Sequence, residues 1–187
     1  MRLRITGIVL AACVIAGGRP ARAEGFITPF LGFNFGGDSA NCISLTNCQE
    51  KRTNFGVSIG TLSGLGFEED ISFAKNFFGD VTGADNSVFT AMSNLLISIP
   101  AGPVRPYVVG GIGLIRPHVS TTLAGLTSFE KNAFGYDLGG GVHVILGHVG
   151  VRGDLRRVKT VQDIPLVTLT NEKLVYWRGS AGLTLAF

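Results

Sequence analysis

The residue types best suited to covalent chemistry lie in one stretch, where His118 and Ser120 are two positions apart and Glu130 follows. A hydroxyl nucleophile, an imidazole base and a carboxylate that orients the base are the groups that an acyl-transfer site requires. The stretch is predicted to be a loop, and three polar loop residues are the alternative interpretation. We favour that alternative and predict that the protein is not an enzyme.

Other motifs for ligand binding are weak. The glycine-rich stretches at 110–113 and 139–141 are not followed by the Gly-Lys-Ser/Thr of a phosphate-binding loop, so they are interpreted as strand glycines. Cys42 and Cys48 lie close together in a polar stretch with no histidine nearby. A disulfide is expected there in an exported chain, and two free thiols are the alternative. We expect no metal and no cofactor.

A larger set of ionisable residues recurs on alternate positions of extended segments. It contains four carboxylates and four arginines, which are Glu68, Asp70, Asp137, Asp154, Arg105, Arg152, Arg156 and Arg178. Buried charges are very costly unless they are paired, and an equal count of the two signs is what a paired interior network would need. Scattered surface charge is the alternative.

These charges lie on segments in which apolar and polar residues alternate with a period of two, which is typical of strands that face two different environments. Glu69 falls on the apolar parity, which a β-bulge would explain. The sequence contains eight such segments, at residues 26–35, 55–62, 65–74, 88–99, 104–114, 134–146, 149–158 and 174–187.

The connections between these segments alternate in length. Short turns at 63–64, 100–103 and 147–148 alternate with longer polar stretches at 36–54, 75–87, 115–133 and 159–173. An even number of strands with short turns at one end and long loops at the other is typical of outer-membrane β-barrels. The pattern places both termini on the periplasmic side and the four long loops outside.

The N-terminal segment has the features of a secretory signal peptide. A basic start at Met1–Arg4 precedes an apolar run, and Ala21-Arg-Ala23 matches a cleavage pattern, so residues 1–23 are assigned to the signal and residues 24–187 to one barrel domain. Lipidation at Cys13 is an alternative. Of the 16 Lys and Arg, four arginines lie in the leader, which leaves 12 basic against 13 acidic residues. No nucleic-acid partner is therefore suggested.

The alternating C-terminal segment ends on Phe187, and behind a signal peptide it resembles the closing strand of bacterial outer-membrane barrels. The mature chain as a whole resembles the small OmpA/OmpX-type family. The resemblance implies an all-β, eight-stranded antiparallel up-and-down transmembrane barrel, integral to the outer membrane, with Phe187 in the signal read by the barrel-assembly machinery. A lipocalin-like barrel is the alternative fold, although the many glycines on the polar parity suit a crowded lumen better than a solvated exterior.

The predicted topology also places aromatic side chains at the outer ends of six apolar faces, where an interfacial girdle belongs. They are Phe35, Phe55, Phe73, Phe89, Tyr136 (or Phe134) and Trp177. Arg157 and Lys159 fall near the same rim on the lipid-facing parity. They are predicted to contact lipopolysaccharide phosphates, and a solvated strand end is the alternative.

Because an eight-stranded interior is only just wide enough for side chains to fill it, the lumen is predicted to be plugged. We expect a monomeric, non-enzymatic surface barrel that supports envelope integrity and displays four loops to surface or host ligands. A narrow solute pore is one alternative. A lipid A-modifying acyl hydrolase is the other, because His118, Ser120 and Glu130 resemble the His-x-Ser and distal Glu of the lipid A deacylases.

Overall fold

The computed structural model describes residues 25–37, 52–77, 84–121, 129–130, 132–161 and 173–187. Within these ranges no helix is long and apolar enough to span a bilayer. The strands are β1 (Gly25–Phe35), β2 (Arg52–Thr61), β3 (Leu65–Lys75), β4 (Ala84–Ser98), β5 (Val104–Thr121), β6 (Phe129–Glu130), β7 (Ala133–Leu146), β8 (Val149–Thr160) and β9 (Val175–Ala186).

The strands form one closed antiparallel barrel. Each of the eight long strands pairs with its neighbours along the chain, and β1 pairs with β9 to close the ring. The two-residue β6 pairs only with the far end of β5. Closure leaves none of the eight strands with a free edge, so every strand has hydrogen-bond partners on both sides. The predicted eight-stranded antiparallel barrel is confirmed.

The two faces of each strand differ in the direction that the period-two pattern predicts. On β3, Leu65 and Phe67 are 63% and 52% exposed, whereas Glu68 and Asp70 are 0% and 1% exposed. The other barrel strands also carry exposed large apolar residues, including Ile112, Leu138 and Leu183. A contiguous apolar exterior is unfavourable in water and suits a hydrocarbon environment. The lipocalin-like alternative, with the apolar face inside, is therefore wrong.

The lumen is filled in layers. A buried apolar cluster lies at the end with the long connections and consists of Ala74, Phe77, Val88, Met92, Ile115, Ala133, Val158, Leu174 and Tyr176. A second cluster lies at the end with the short turns and consists of Phe26, Leu62, Ile145 and Ala186. The charged residues lie between them. The sequence pattern predicted the polar layer but not the apolar layers at either end.

The hairpin of β4 and β5 is longer than predicted. Its register continues without a break to Ala84 opposite Thr121, although the pattern ended the strand at Leu114 and placed 115–133 in a loop. That boundary was wrong because backbone pairing continues beyond the alternating apolar band. Ile115, at the start of the predicted loop, is fully buried.

No β-bulge occurs at Glu69, so that explanation of its position is wrong. Its register is continuous, with Ile59 on one side and Ser93 on the other. The Glu69 side chain instead projects from the outer wall, where Ser93 Oγ donates to both carboxylate oxygens at 2.8 and 2.9 Å. The predicted signal peptide at 1–23, including Cys13, and the pair Cys42 and Cys48 lie outside the described residues.

Glycine at position 139 provides a test of the packing between β7 and β8. A Cβ added there would lie 2.3 Å from Leu155 O and 2.8 Å from Arg156 Cα, whereas one added to Gly153 would meet nothing within 4 Å. We expect Gly139→Ala to lower the free energy of unfolding by about 1–3 kcal/mol, the usual cost of overpacking. Gly153→Ala, the matched control, should change it by less than about 0.5 kcal/mol. Urea unfolding in detergent micelles measures both; equal effects would contradict this packing.

Candidate functional site

The centre of the lumen is occupied by the guanidinium of Arg156, whose residue is 0% exposed. Its Nη2 donates to Glu68 Oε1 and its Nε to Asp154 Oδ1, both at 2.6 Å. Its Nη1 lies 3.2 Å from Asp137 Oδ2 and 3.7 Å from Asp70 Oδ2. Carboxylates from β3, β7 and β8 therefore surround one cation.

Arg178 on β9 is a second cation of the lumen that is paired with a carboxylate. Its Nη1 and Nη2 donate to the two oxygens of Asp70 at 2.7 and 2.8 Å, which is the bidentate geometry that adds direction to a charge-assisted bond. Ser58 Oγ donates to the same carboxylate at 2.8 Å. The Arg178 guanidinium also lies 4.9 Å from the centre of the Phe30 ring.

Arg152 on β8 links the charged layer to an aromatic side chain. Its Nη2 lies 2.7 Å from Glu68 Oε2, and its Nε donates to Tyr107 Oη at 2.7 Å. Tyr107 Oη in turn donates to Asp154 Oδ2 at 2.5 Å. Sequence reasoning placed Tyr107 on the polar face but missed its part in the network. Its position on the same parity as the charges was the available signal.

The network joins opposite walls of the barrel. In the ring of eight strands β3 and β8 are four strands apart in either direction, so the bond from Arg156 to Glu68 crosses the full diameter. The contacts described above join seven of the eight predicted charges. The eighth, Arg105, lies toward the short-turn end of β5, opposite His143 in the register. In the part of the chain that the structure describes, no cluster of three or more His, Cys, Asp or Glu residues could hold a metal ion.

Aromatic side chains occupy outward positions near the long-connection ends of the strands. Phe55 and Phe73 are register partners whose ring centres are 5.7 Å apart, and Phe73 is also partnered with Phe89. Phe35 is partnered with Trp177 across the β1–β9 seam. Tyr136 is outward on β7 and 42% exposed, as is Phe134 at 63%.

The remaining predicted site residues on the outer wall lie on β8 and at the C-terminus. The Arg157 guanidinium lies 5.8 Å from the centre of the Trp177 ring, and Lys159 is the register partner of Tyr136. Phe187 exchanges backbone hydrogen bonds with Gly25 at 2.8 and 2.9 Å, and its ring is exposed. Its role in assembly stays a prediction.

His118, Ser120 and Glu130 lie on strands rather than in a loop. His118 and Ser120 lie on the extension of β5, and His118 is the register partner of Glu130 on β6. The backbone thus brings His118 and Glu130 to neighbouring ladder positions. The side chains of Ser120 and Glu130 lie outside the described residues.

Several solved structures that share this fold are outer-membrane barrels. Neisserial surface protein A (NspA) is 18% identical with a TM-score of 0.62, covering 87% of this chain and 97% of that one. The N-terminal β-barrel domain of Pseudomonas aeruginosa OprF is 15% identical with a TM-score of 0.54, covering 89% and 99%.

Ail, the attachment invasion locus protein of Yersinia pestis, is 11% identical with a TM-score of 0.53, covering 89% and 100%. Ail has also been solved with the heparin analogue sucrose octasulfate. No family model and no curated protein matches the chain. At these identities the likeness concerns the fold, which is that of the small eight-stranded outer-membrane barrels.

Removing the central cation tests the network. We expect Arg156→Ala to lower the free energy of unfolding by about 3–5 kcal/mol, because it leaves buried carboxylates without their shared partner. The free energy of unfolding of Arg156→Lys should lie between those of Arg156→Ala and the parent protein. Lysine keeps the positive charge but lacks the several planar N–H donors of the guanidinium. Urea unfolding in micelles, followed by Trp177 fluorescence, provides the measurement.

The matched control for this test is Arg157→Ala. This residue is adjacent in the chain but projects from the outer wall. Its replacement should change the free energy of unfolding by less than about 0.5–1 kcal/mol, as for most surface substitutions. Equal losses in the two alanine variants would contradict a structural role for the central guanidinium.

Proposed function

We propose that this chain, which has the fold of the small outer-membrane barrels, is a non-enzymatic integral protein of the bacterial outer membrane. It supports the integrity of the envelope and presents its four long connections at the cell surface. The observation that carries the proposal is the inverted barrel: large apolar side chains cover the outside, while Arg156 and its carboxylates are buried at the axis.

A bilayer is the environment that these surfaces fit. In hydrocarbon every backbone N–H and C=O must be paired within the protein, which a closed antiparallel barrel achieves and an open sheet does not. The strands are 10 to 18 residues long, apart from the two-residue β6. A tilted membrane strand needs about 9–11 residues, so each of the eight is long enough.

The distribution of outward charge supports an orientation with the long connections outside. Among the outward strand side chains that the structure describes, the cations Lys75, Arg116, Arg157 and Lys159 all lie toward the long-connection ends. At the short-turn ends, outward positions carry apolar residues such as Leu146 and Leu185. Cations on one rim suit the phosphates of lipopolysaccharide in the outer leaflet. We therefore assign both termini to the periplasmic side.

Burial in the lumen argues against a solute pore. Arg156 has no surface accessible to water, and apolar clusters lie on either side of the charged layer. This packing supports a lumen that is closed to solvent at the charged layer. The same burial keeps substrates away from the Arg156 guanidinium and its carboxylate partners. This supports a non-enzymatic role, in which the barrel is a rigid support for its connections.

Surface interaction is the second part of the proposal. Two structural neighbours carry names that refer to the cell surface or to attachment, NspA and Ail, and Ail has been solved with a heparin analogue. By analogy we infer that the stretches 36–54, 75–87, 115–133 and 159–173 contact surface or host ligands. The monomer is sufficient for this role, because its ring of strands is closed without a partner.

Epitope insertion tests the location and the orientation together. A short epitope inserted between Gly125 and Leu126 should bind antibody on intact cells. The same epitope in the turn between Gly147 and His148 should bind only after the outer membrane is permeabilised. Heat-modifiable gel migration verifies that each insertion variant is folded. Antibody binding with the reverse pattern would contradict the orientation, and recovery of the parent protein from the soluble periplasmic fraction would contradict the proposal.

A further inference from the structure

The outer wall of the barrel carries a groove of about 580 Å³ at the seam between β1 and β9. Gly179 and Ala181 form its floor, and Leu31, Phe33 and Phe35 form its wall. The volume lies within the range of about 300–1,000 Å³ that is usual for small-molecule sites. The groove therefore has the size of a ligand site, on a face that is otherwise covered by large apolar side chains.

The groove exists because a large residue on β1 faces a small one on β9. Phe33 is the register partner of Gly179, and Leu31 is the register partner of Ala181. A Cβ added to Gly179 would meet only Phe35 Cε1, at 3.5 Å, which is ordinary van der Waals contact. Packing within the protein thus does not require glycine at this position, in contrast to Gly139 in the lumen.

Two cations lie on β8, the strand next to the groove, at the height of its long-connection end. Trp177 is the register partner of both Phe35 and Arg157, and the Arg157 guanidinium lies over its ring. Lys159 follows two residues further toward the long connection, and two residues of strand span about 7 Å. An anionic group held by these cations would thus lie beside the long-connection end of the groove, one strand from the residues that line it.

We propose that this seam groove is a specific site for a phosphorylated, acylated glycolipid of the lipid A type. One acyl chain occupies the groove over Gly179 and Ala181, and a phosphate is bound by Arg157 and Lys159. This inference rests on the proposed outer-membrane location. The complementary features are an apolar groove of ligand size and a pair of cations on the adjacent strand, at the height of its long-connection end. Together they distinguish the seam from a surface that is merely apolar.

Trp177 is the single tryptophan of the chain and lies beside the groove, so its fluorescence reports on the site directly. The full-length folded protein is placed in micelles that contain brominated phosphatidylcholine, whose bromines quench tryptophan emission. Lipid A is then added. We expect a saturable recovery of Trp177 emission as lipid A displaces the brominated chains, whereas phosphatidylglycerol should require at least about tenfold more lipid for the same recovery.

Two variants remove the two halves of the site, and each has a matched control on the opposite wall. Gly179→Val fills the groove, and Arg157→Gln removes the cation. Each should raise the midpoint of the lipid A titration by about tenfold or more, as expected for lost apolar contact or a lost charge-assisted hydrogen bond. Gly110→Val alters an outward position on β5 and should leave the midpoint within about twofold. Arg116→Gln removes a rim cation outside the seam and should raise the midpoint clearly less than Arg157→Gln does. Midpoints are compared because Arg157→Gln also changes the baseline emission of Trp177.

Three outcomes would overturn the site. Equal midpoints in the groove variants and their controls would show that lipid A does not bind at the seam. Equal recovery by phosphatidylglycerol would show a site for any anionic lipid. Recovery that follows protein concentration instead of lipid A would show that a second copy of the chain covers the groove. Fractionation of the cells that produce the protein separates the two proposals. Absence of the protein from the outer membrane would overturn the proposed function, whereas unchanged midpoints would overturn only the lipid A site.

Discussion

The bond from Arg156 to Glu68 across the lumen is the interaction on which the rest of the structure depends. A guanidinium with no solvent contact is tolerated only where carboxylates and hydrogen bonds replace the water it has lost. Here that replacement comes from three strands, so the strands must keep the register that brings their carboxylates to the axis. A slip of one residue in β3 would turn Glu68 and Asp70 outward and Phe67 inward. The charged layer therefore specifies the register as well as filling the lumen.

The outer wall has a different requirement. It must present a continuous apolar surface to its surroundings, and any gap in that surface must be filled by a lipid or another ligand. Most outward positions carry large side chains, and the groove at the β1–β9 seam is a departure from that rule. Glu69 is a second departure, since its carboxylate lies on the outer wall with Ser93 as its donor. The inner wall follows the opposite rule, and glycines such as Gly139 leave room for Arg156. Side-chain size is thus set by packing inside the lumen on one face of each strand and by contact with the surroundings on the other.

Alternation was enough to predict which face each strand residue occupies, because a strand has a period of two wherever its two sides differ. Leu183 and Thr184 on β9 show this, with 62% and 0% exposure. Which lumen residues meet could not be predicted in the same way. The stagger of a closed barrel decides that Tyr107 on β5 reaches Asp154 on β8, and nothing in either strand alone encodes it.

The extension of β5 to Thr121 was missed for a related reason. Its outer part pairs through the backbone beyond the alternating band, and its pairing with β6 depends on residues that carry no strand pattern of their own.

Collision accessibility of nitroxide labels tests most directly whether the apolar faces contact lipid. Single cysteines replace Leu183, Leu185 and Val151 in a background in which Cys13, Cys42 and Cys48 are serine, and the folded protein is reconstituted in bilayers. We expect frequent collisions with oxygen, which concentrates in hydrocarbon, and rare collisions with a water-soluble nickel complex. Labels shielded from both reagents, or reached mainly by the nickel complex, would place these side chains in an interior cavity or in water and would contradict the account.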